Sequence, residues 1–137
     1  MGDFINSLEA PEPVGHYPHA KRVGGLLFLS GVGPRKRGEK NIPGVTLSKD
    51  GKIINYDISE QCISVFENIN LILKEAGSDW KNIVDVTVFL TNMDADFKTY
   101  NKLYMQFFNT PFPTRTTIEV SSLPTPIAIE LKVIATI

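Results

Sequence analysis

Two residues near the C-terminus have side chains that could do chemistry on a small organic acid. Arg115 lies just inside the segment Pro113–Val120, and Glu130 lies in the middle of an otherwise apolar segment. The planar guanidinium of arginine holds a carboxylate through two parallel hydrogen bonds, which lysine cannot copy. A nearby carboxylate can bind a water molecule or protonate a leaving nitrogen. The pair predicts a pocket for an acid that reacts close to its own carboxylate; the alternative is a salt bridge between strands or subunits, which contributes little if it is exposed.

Both residues lie on segments that alternate like β-strands, joined by a proline-rich turn at Leu123–Pro126. Pairing of these strands as a hairpin would place Arg115 and Glu130 near opposite ends of the pairing, where they could face one cleft. The alternation puts Arg115, Thr117 and Glu119 on the same face. Glu119 could pair with a neighbouring subunit or with Lys132, so a structural role is expected for it.

Two helices are predicted upstream. Asp57 can cap the first, with Glu60 three residues later, and an apolar stripe at helical spacing runs on to Gly77, which would end the helix. Cys62 falls within that stripe and is expected to be a small buried residue. The second helix is predicted from Asp94 to about Asn109, and its aromatic stripe is typical of a core.

The remaining elements are strands. A hairpin turning at Gly24 and Gly25, a short strand at Lys52–Asn55 and a central strand in "NIVDVTVFLT" complete the order hairpin, strand, helix, strand, helix, strand, strand. This order predicts a two-layer α+β fold with two helices on one face of a mixed sheet. The second face of the sheet would be semi-apolar, which favours covering by another copy of the chain.

Composition narrows the functional classes. The 137 residues fit one domain, 1–137, and the net charge of −1 gives no electrostatic footprint for nucleic acid or an anionic membrane. The apolar runs are too short to span a bilayer, and the N-terminus lacks a signal pattern. A single cysteine permits no internal disulfide and fits a reducing compartment, so a cytoplasmic location is expected. His16 and His19 have no second ligand cluster, so no metal site is expected.

Five blocks, in family order from about Gly15 to the C-terminus, resemble the YjgF/Rid family of imine and enamine deaminases, whose relatives also carry the label endoribonuclease L-PSP. They are "FLSGVGP" (28–34), "VTVFLTNM" (86–93), "NKLYMQFF" (101–108), "PTRTTIEV" (113–120) and "LPTPIAIELKVIA" (123–135). The resemblance implies a chorismate-mutase-like domain that forms a homotrimer around a sheet-lined barrel, with active sites between subunits.

The resemblance also implies roles for individual residues. Arg115 matches the arginine that binds the substrate carboxylate, and Glu130 matches the glutamate that positions the hydrolytic water. Gly31 falls in the segment whose backbone lines the pocket, and Tyr17 falls in the block that supplies an aromatic wall. Thr117 replaces a cysteine found in many members, which removes any thiol-specific role while keeping a hydroxyl.

Within the family, the lead-in "GHYPHAKRVG" and the markers "SGVGPR", "IPGV" and "YDISEQ" resemble the 2-aminomuconate deaminase branch. The implied reaction is cofactor-independent hydrolysis of 2-aminomuconate to 4-oxalocrotonate and ammonia. That substrate has two carboxylates, so a second cation is expected in the site. Arg35 is the candidate ahead of His19. The alternative is that Arg35 lies in a solvated loop and binds nothing. Other readings are a general 2-iminobutanoate/2-iminopropanoate deaminase, a non-catalytic binder of small carboxylates and a ribonuclease, the last disfavoured by the charge.

Overall fold

A computed structural model gives the structure of residues 3–137. The chain forms eight strands and two long helices, with a short 3-10 helix at Trp80–Asn82. In chain order these are β1 (Phe4–Ile5), β2 (Ala20–Val23), β3 (Leu26–Leu29), β4 (Val45–Leu47), β5 (Ile53–Tyr56), α1 (Ile58–Glu75), β6 (Ile83–Leu90), α2 (Met93–Phe107), β7 (Thr114–Glu119) and β8 (Ile129–Thr136). No helix in this part of the chain is long and apolar enough to cross a membrane.

Six strands form one mixed sheet in the order β1-β2-β3-β8-β6-β7, and β4 pairs with β5 in a separate two-stranded sheet. The predicted β2–β3 hairpin is confirmed: Val23 pairs with Leu26, and Gly24 takes a φ of 59° in the turn. Strand β7 lies at the edge of the sheet and runs parallel to β6, to which α2 connects it. Strand β8 lies between β3 and β6 and is antiparallel to both.

The predicted pairing of the last two strands as a hairpin is wrong, because β6 lies between β7 and β8. A strand, a helix and a second strand in succession form a crossover unit whose strands run parallel, and β6, α2 and β7 have that order. The proline-rich connection 120–128 then carries the chain past β6 instead of making a tight turn. Arg115 and Glu130 are therefore not at the ends of a shared hairpin.

The two helices pack on one face of the sheet, as predicted. Asp57 caps α1 by accepting a hydrogen bond from the Glu60 amide. The helix ends at Glu75, and Gly77, with a φ of 77°, turns the chain away two residues later, where the amides of Gly77 and Ser78 donate to the Lys74 and Leu73 carbonyls. Helix α2 begins two residues earlier than predicted, because the Asn92 side chain, not Asp94, caps it by accepting from the Ala95 amide.

Alternate residues of β6 and β8 form the core under the helices. Cys62, Val86, Val88, Leu131 and Val133 are all fully buried there. The opposite face, which we call the open face, carries Thr87 and Phe89 of β6 opposite Lys132 and Glu130 of β8, and these side chains remain partly or largely accessible. The predicted semi-apolar second face is therefore present in the protomer and uncovered by its helices.

Candidate active site

Four of the six predicted site residues lie around one cavity at the end of β8. The cavity, which we call the Glu130 pocket, has a volume of about 90 Å³ and its lining includes Tyr17, Gly31, Arg35, Thr125, Ile127 and Glu130. Glu130 projects from the open face of the sheet. The structure thus brings Glu130, Gly31, Tyr17 and Arg35 together from three distant parts of the chain, and their roles in a site stay predictions.

Gly31 is required where it is because Glu130 packs directly over it. A Cβ built at residue 31 would lie 3.0 Å from the Glu130 carboxyl carbon and closer still to Oε2. The adjacent Val32 fixes this segment by pairing with Leu131 through two backbone hydrogen bonds, of 2.8 and 3.0 Å. The glycine therefore lets the backbone approach the carboxylate closely.

The electrostatics of the pocket set the protonation of Glu130. Burial raises the pKa of the Glu130 carboxyl above its usual value, and the positive charge of Arg35 offsets part of that rise. A carboxyl whose pKa moves toward neutrality is better suited to accept and return a proton during a reaction. The environment of Glu130 thus fits acid–base chemistry better than a permanent salt bridge, and no basic group lies within 4.0 Å of it among residues 3–137.

Arg35 is held at the pocket and is not freely solvated. Its Nη2 donates a 2.7 Å hydrogen bond to the Glu12 carbonyl, while the carbonyl of Arg35 accepts one from the buried Asn68 amide. His19 cannot serve as the second cation in this arrangement. Its Nδ1 accepts from the Ser7 amide and its Nε2 donates to the Pro11 carbonyl, which defines a neutral ring.

Arg115 and Thr117 lie elsewhere in the protomer. They belong to the face of β7 that is in register with the buried Val86 and Val88 of β6, so they point toward α2, opposite to the open face. Two strand spacings, about 10 Å, and the sheet itself separate them from Glu130. One protomer therefore does not bring Arg115 and Glu130 to a common cavity.

The Arg115 guanidinium packs against aromatic rings of α2. Its central carbon lies 4.7 Å from the ring centroid of Tyr104, 5.6 Å from that of Tyr100 and 5.9 Å from that of Phe97. Sequence reasoning assigned these rings to the core alone. The β6–α2–β7 order was the signal that could have placed Arg115 beneath them.

Nearby polar atoms lack partners. The Oγ1 of Thr117 and the hydroxyl oxygens of Tyr100 and Tyr104 are buried without a hydrogen bond in the described residues. Burial raises the pKa of Tyr104 despite the opposing charge of Arg115, so its hydroxyl is protonated at neutral pH. The Arg115 side of the molecule thus holds a cation and free hydrogen-bonding atoms, which suit a bound anion.

Glu119 has a structural contact instead of the pairing with Lys132 considered from the sequence. Its Oε1 accepts a 2.8 Å hydrogen bond from the Met93 amide at the first turn of α2. Lys132 instead donates to the Leu29 carbonyl. Across residues 3–137, no three His, Cys, Asp or Glu side chains converge as a metal site would require.

The protein has an α+β fold, and the Glu130 pocket and the residues around Arg115 lie on opposite faces of its main sheet. The chain belongs to the endoribonuclease L-PSP family, whose model matches residues 7–137. A RutC family protein of Pyrococcus abyssi is 37% identical over 97% of this chain and 95% of its own length. Reactive Intermediate Deaminase A, chloroplastic, of Arabidopsis thaliana is 33% identical over 98% of this chain and 66% of its own length.

A solved structure shares the fold. The crystal structure of E. coli TdcF with bound serine superposes with a TM-score of 0.82 at 30% identity, covering 98% of each chain. The predicted α+β architecture and the predicted YjgF/Rid membership are therefore confirmed at the level of the family.

Proposed function

We propose that this protein is a hydrolytic deaminase of small enamine and imine carboxylates, with sites formed between neighbouring copies of a homotrimer. The observation that carries the proposal is that the two residues expected to act on the substrate lie apart, on opposite faces of the sheet. One face of the sheet presents Glu130, a proton-transfer group, and the other presents Arg115, an unpaired cation. Two faces of one protomer cannot meet, whereas the two faces of neighbouring copies can, through a head-to-tail contact that closes into a ring.

The size of the Glu130 pocket supports a shared site. Its volume of about 90 Å³ holds roughly three water molecules, while sites for organic ligands usually measure about 300 Å³ or more. A neighbouring copy that placed Arg115 and Thr117 over the pocket would supply the missing wall. It would also cover the accessible open face.

The proposed mechanism uses protein groups and water alone. Arg115 would hold the carboxylate next to the imine carbon, which fixes the orientation of that carbon. Water adds to the carbon as Glu130 accepts one of its protons, and Glu130 then returns a proton to the nitrogen. The C–N bond then breaks with its electron pair leaving on nitrogen as Glu130 moves the remaining hydroxyl proton to that nitrogen, which releases ammonia and leaves a carbonyl.

The preferred substrate is 2-aminomuconate, which would yield 4-oxalocrotonate and ammonia after the enamine tautomerises to an imine. Its second carboxylate requires a second cation, and Arg35 lies in the same pocket as Glu130. A general deaminase of 2-iminobutanoate and 2-iminopropanoate is the second candidate, favoured by the similarity to Reactive Intermediate Deaminase A. Ammonia release from each substrate generated in situ separates the two.

A subunit-mixing assay tests the shared site directly. Arg115→Ala and Glu130→Gln should each abolish ammonia release in a pure preparation. When the two variants are unfolded, mixed in equal amounts and refolded, random assembly gives an intact pair at about one site in four, so about 25% of the activity should return. A mixture as inactive as its parents would refute a site shared between copies.

The same variants separate catalysis from simple binding. Glu130→Gln should retain affinity for a stable product acid such as pyruvate, because the arginine is unchanged, while losing turnover. Normal turnover of Glu130→Gln would remove Glu130 from the reaction. Retained binding without any ammonia release from the unsubstituted protein would favour a carboxylate-binding function.

A further inference from the structure

The guanidinium of Arg115 on β7 packs against aromatic rings and, among the residues that the structure describes, is not paired with a carboxylate. Phe97, Tyr100 and Tyr104 recur at helical spacing on α2, and all three ring centroids lie within 6 Å of the Arg115 guanidinium carbon. Tyr104 is the nearest, at 4.7 Å. An arginine over an aromatic face is attracted by the ring quadrupole, which fixes its position without neutralising its charge.

The Arg115 guanidinium has no acidic partner in the part of the chain that the structure describes. Within residues 3–137, no carboxylate oxygen lies within 4.0 Å of an Arg115 nitrogen, and its N–H groups donate no hydrogen bond. Support from a ring face leaves the N–H donors at the edge of the guanidinium free. The arginine is therefore held in place with its donors available.

The rings are themselves packed against other aromatic side chains. Tyr104 stacks on Phe108 with centroids 4.2 Å apart and planes inclined by 17°, and Phe108 packs on Trp80 and Phe66. Tyr100 is fully buried beside Tyr104. These neighbours hold the Tyr104 ring in place, and the ring in turn holds the Arg115 side chain. A binding group is positioned precisely only when the residues that contact it are themselves fixed by packing.

We propose that Tyr104 is a positioning residue, whose ring holds Arg115 in the orientation that binds the substrate carboxylate. This inference rests on the proposed function, in which Arg115 binds that carboxylate. Tyr104 acts through Arg115 and does not touch the reacting atoms. The role is assigned to the ring because its centroid lies 4.7 Å from the Arg115 guanidinium carbon.

Three variants test the role of the ring. Tyr104→Phe keeps the ring and should change the KM for 2-iminopropanoate by less than about twofold, whereas Tyr104→Leu should raise it by about 5- to 30-fold. Leu27→Ala is the control for destabilisation, because Leu27 is fully buried on β3, three strand positions from β7, and lies outside the aromatic cluster. It should destabilise the protein to a similar degree and leave KM unchanged.

The outcomes discriminate between ring, hydroxyl and general packing. An unchanged KM in Tyr104→Leu overturns the proposal. A loss in Tyr104→Phe as large as that in Tyr104→Leu assigns the effect to the hydroxyl and also overturns it. An equal rise of KM in Leu27→Ala attributes the effect to general destabilisation, with the same consequence.

A readout that does not depend on turnover separates this inference from the proposed function. In the unsubstituted protein, the Arg115 Nε–H proton should show an upfield ring-current shift by NMR, retained in Tyr104→Phe and reduced in Tyr104→Leu, where only the more distant rings of Tyr100 and Phe97 remain. Its absence from the unsubstituted protein overturns the inference even if Tyr104→Leu does not fold. The shift together with no pyruvate binding and no ammonia release supports the ring contact and refutes the proposed function.

Discussion

Replacing Gly31 by alanine would place a methyl group against the carboxylate that the proposed mechanism uses. The added Cβ lies 3.0 Å from the carboxyl carbon of Glu130, while ordinary contacts of this kind measure 3.4 to 4 Å. The φ of Gly31 is outside the left-handed region, so the backbone itself tolerates alanine. Because Oε2 lies closer still, the carboxyl group must retreat by about 1 Å or more, with little strain elsewhere.

The expected result is a loss of activity without a matching loss of stability. Because a misplacement of about 1 Å costs up to about 100-fold in rate, kcat should fall by about 10- to 100-fold. The free energy of unfolding should fall by less than about 1 kcal/mol, because the displaced group is the end of a flexible side chain. Ammonia release measures the first quantity, and denaturant unfolding measures the second.

Gly25→Ala is the matched control, since nothing lies within 4 Å of its added Cβ and its φ is not positive. It should be neutral for both quantities. A folded Gly31→Ala protein with undiminished kcat would refute the reasoning, because Glu130 would then be displaced without consequence.

Four further predictions concern Arg35, Cys62 and Glu119. Arg35→Gln removes a charge that lowers the pKa of Glu130, so the acid limb of the kcat/KM profile should move to higher pH; exposed Lys49→Gln should leave it in place, and an unmoved limb in Arg35→Gln would contradict the coupling. The same Arg35 variant should lose more activity on a dicarboxylic enamine than on 2-iminopropanoate, and equal losses would exclude Arg35 as the second cation. Burial raises the pKa of Cys62 to about 12, so its thiol should resist a thiol reagent at pH 8 until denaturant is added, and rapid labelling of folded protein would show that α1 opens. Glu119→Ala should lower the free energy of unfolding by about 1 kcal/mol, because the Met93 amide loses its acceptor; an unchanged midpoint in urea would indicate that water replaces the carboxylate.

Local signals in the sequence predicted local structure well. The Gly24–Gly25 turn, the Asp57 cap and the Gly77 stop each depend on a few neighbouring residues, and each appears where it was expected. The start of α2 was misplaced because Asn92 and Asp94 are both good capping residues. Which of them accepts the hydrogen bond depends on where β6 ends.

The non-local pairing of β7 and β8 was harder to predict. Proximity in the chain favours a hairpin, but the long apolar β8 is more fully buried between β3 and β6 than it would be at the edge beside β7. Glu130, Gly31 and Tyr17 were predicted because the family resemblance names them individually, whereas Arg35 was predicted because a second substrate carboxylate requires a second cation. The rings beneath Arg115 were missed because an aromatic stripe on a helix has the same spacing whether it packs against leucine or arginine.

The position of β7 as the outermost strand affects how its arginine moves. Among the described residues β7 has a strand neighbour on one side only, so its amides are expected to exchange with solvent sooner than those of β6 or β8. Two side-chain tethers, Arg115 on the Tyr104 ring and Glu119 on the Met93 amide, join it to α2. Fraying of β7 would therefore release the first turn of α2 and withdraw the Arg115 guanidinium in a single cooperative event. The stability of β7 at the sheet edge thus governs how often the anion-binding geometry is present.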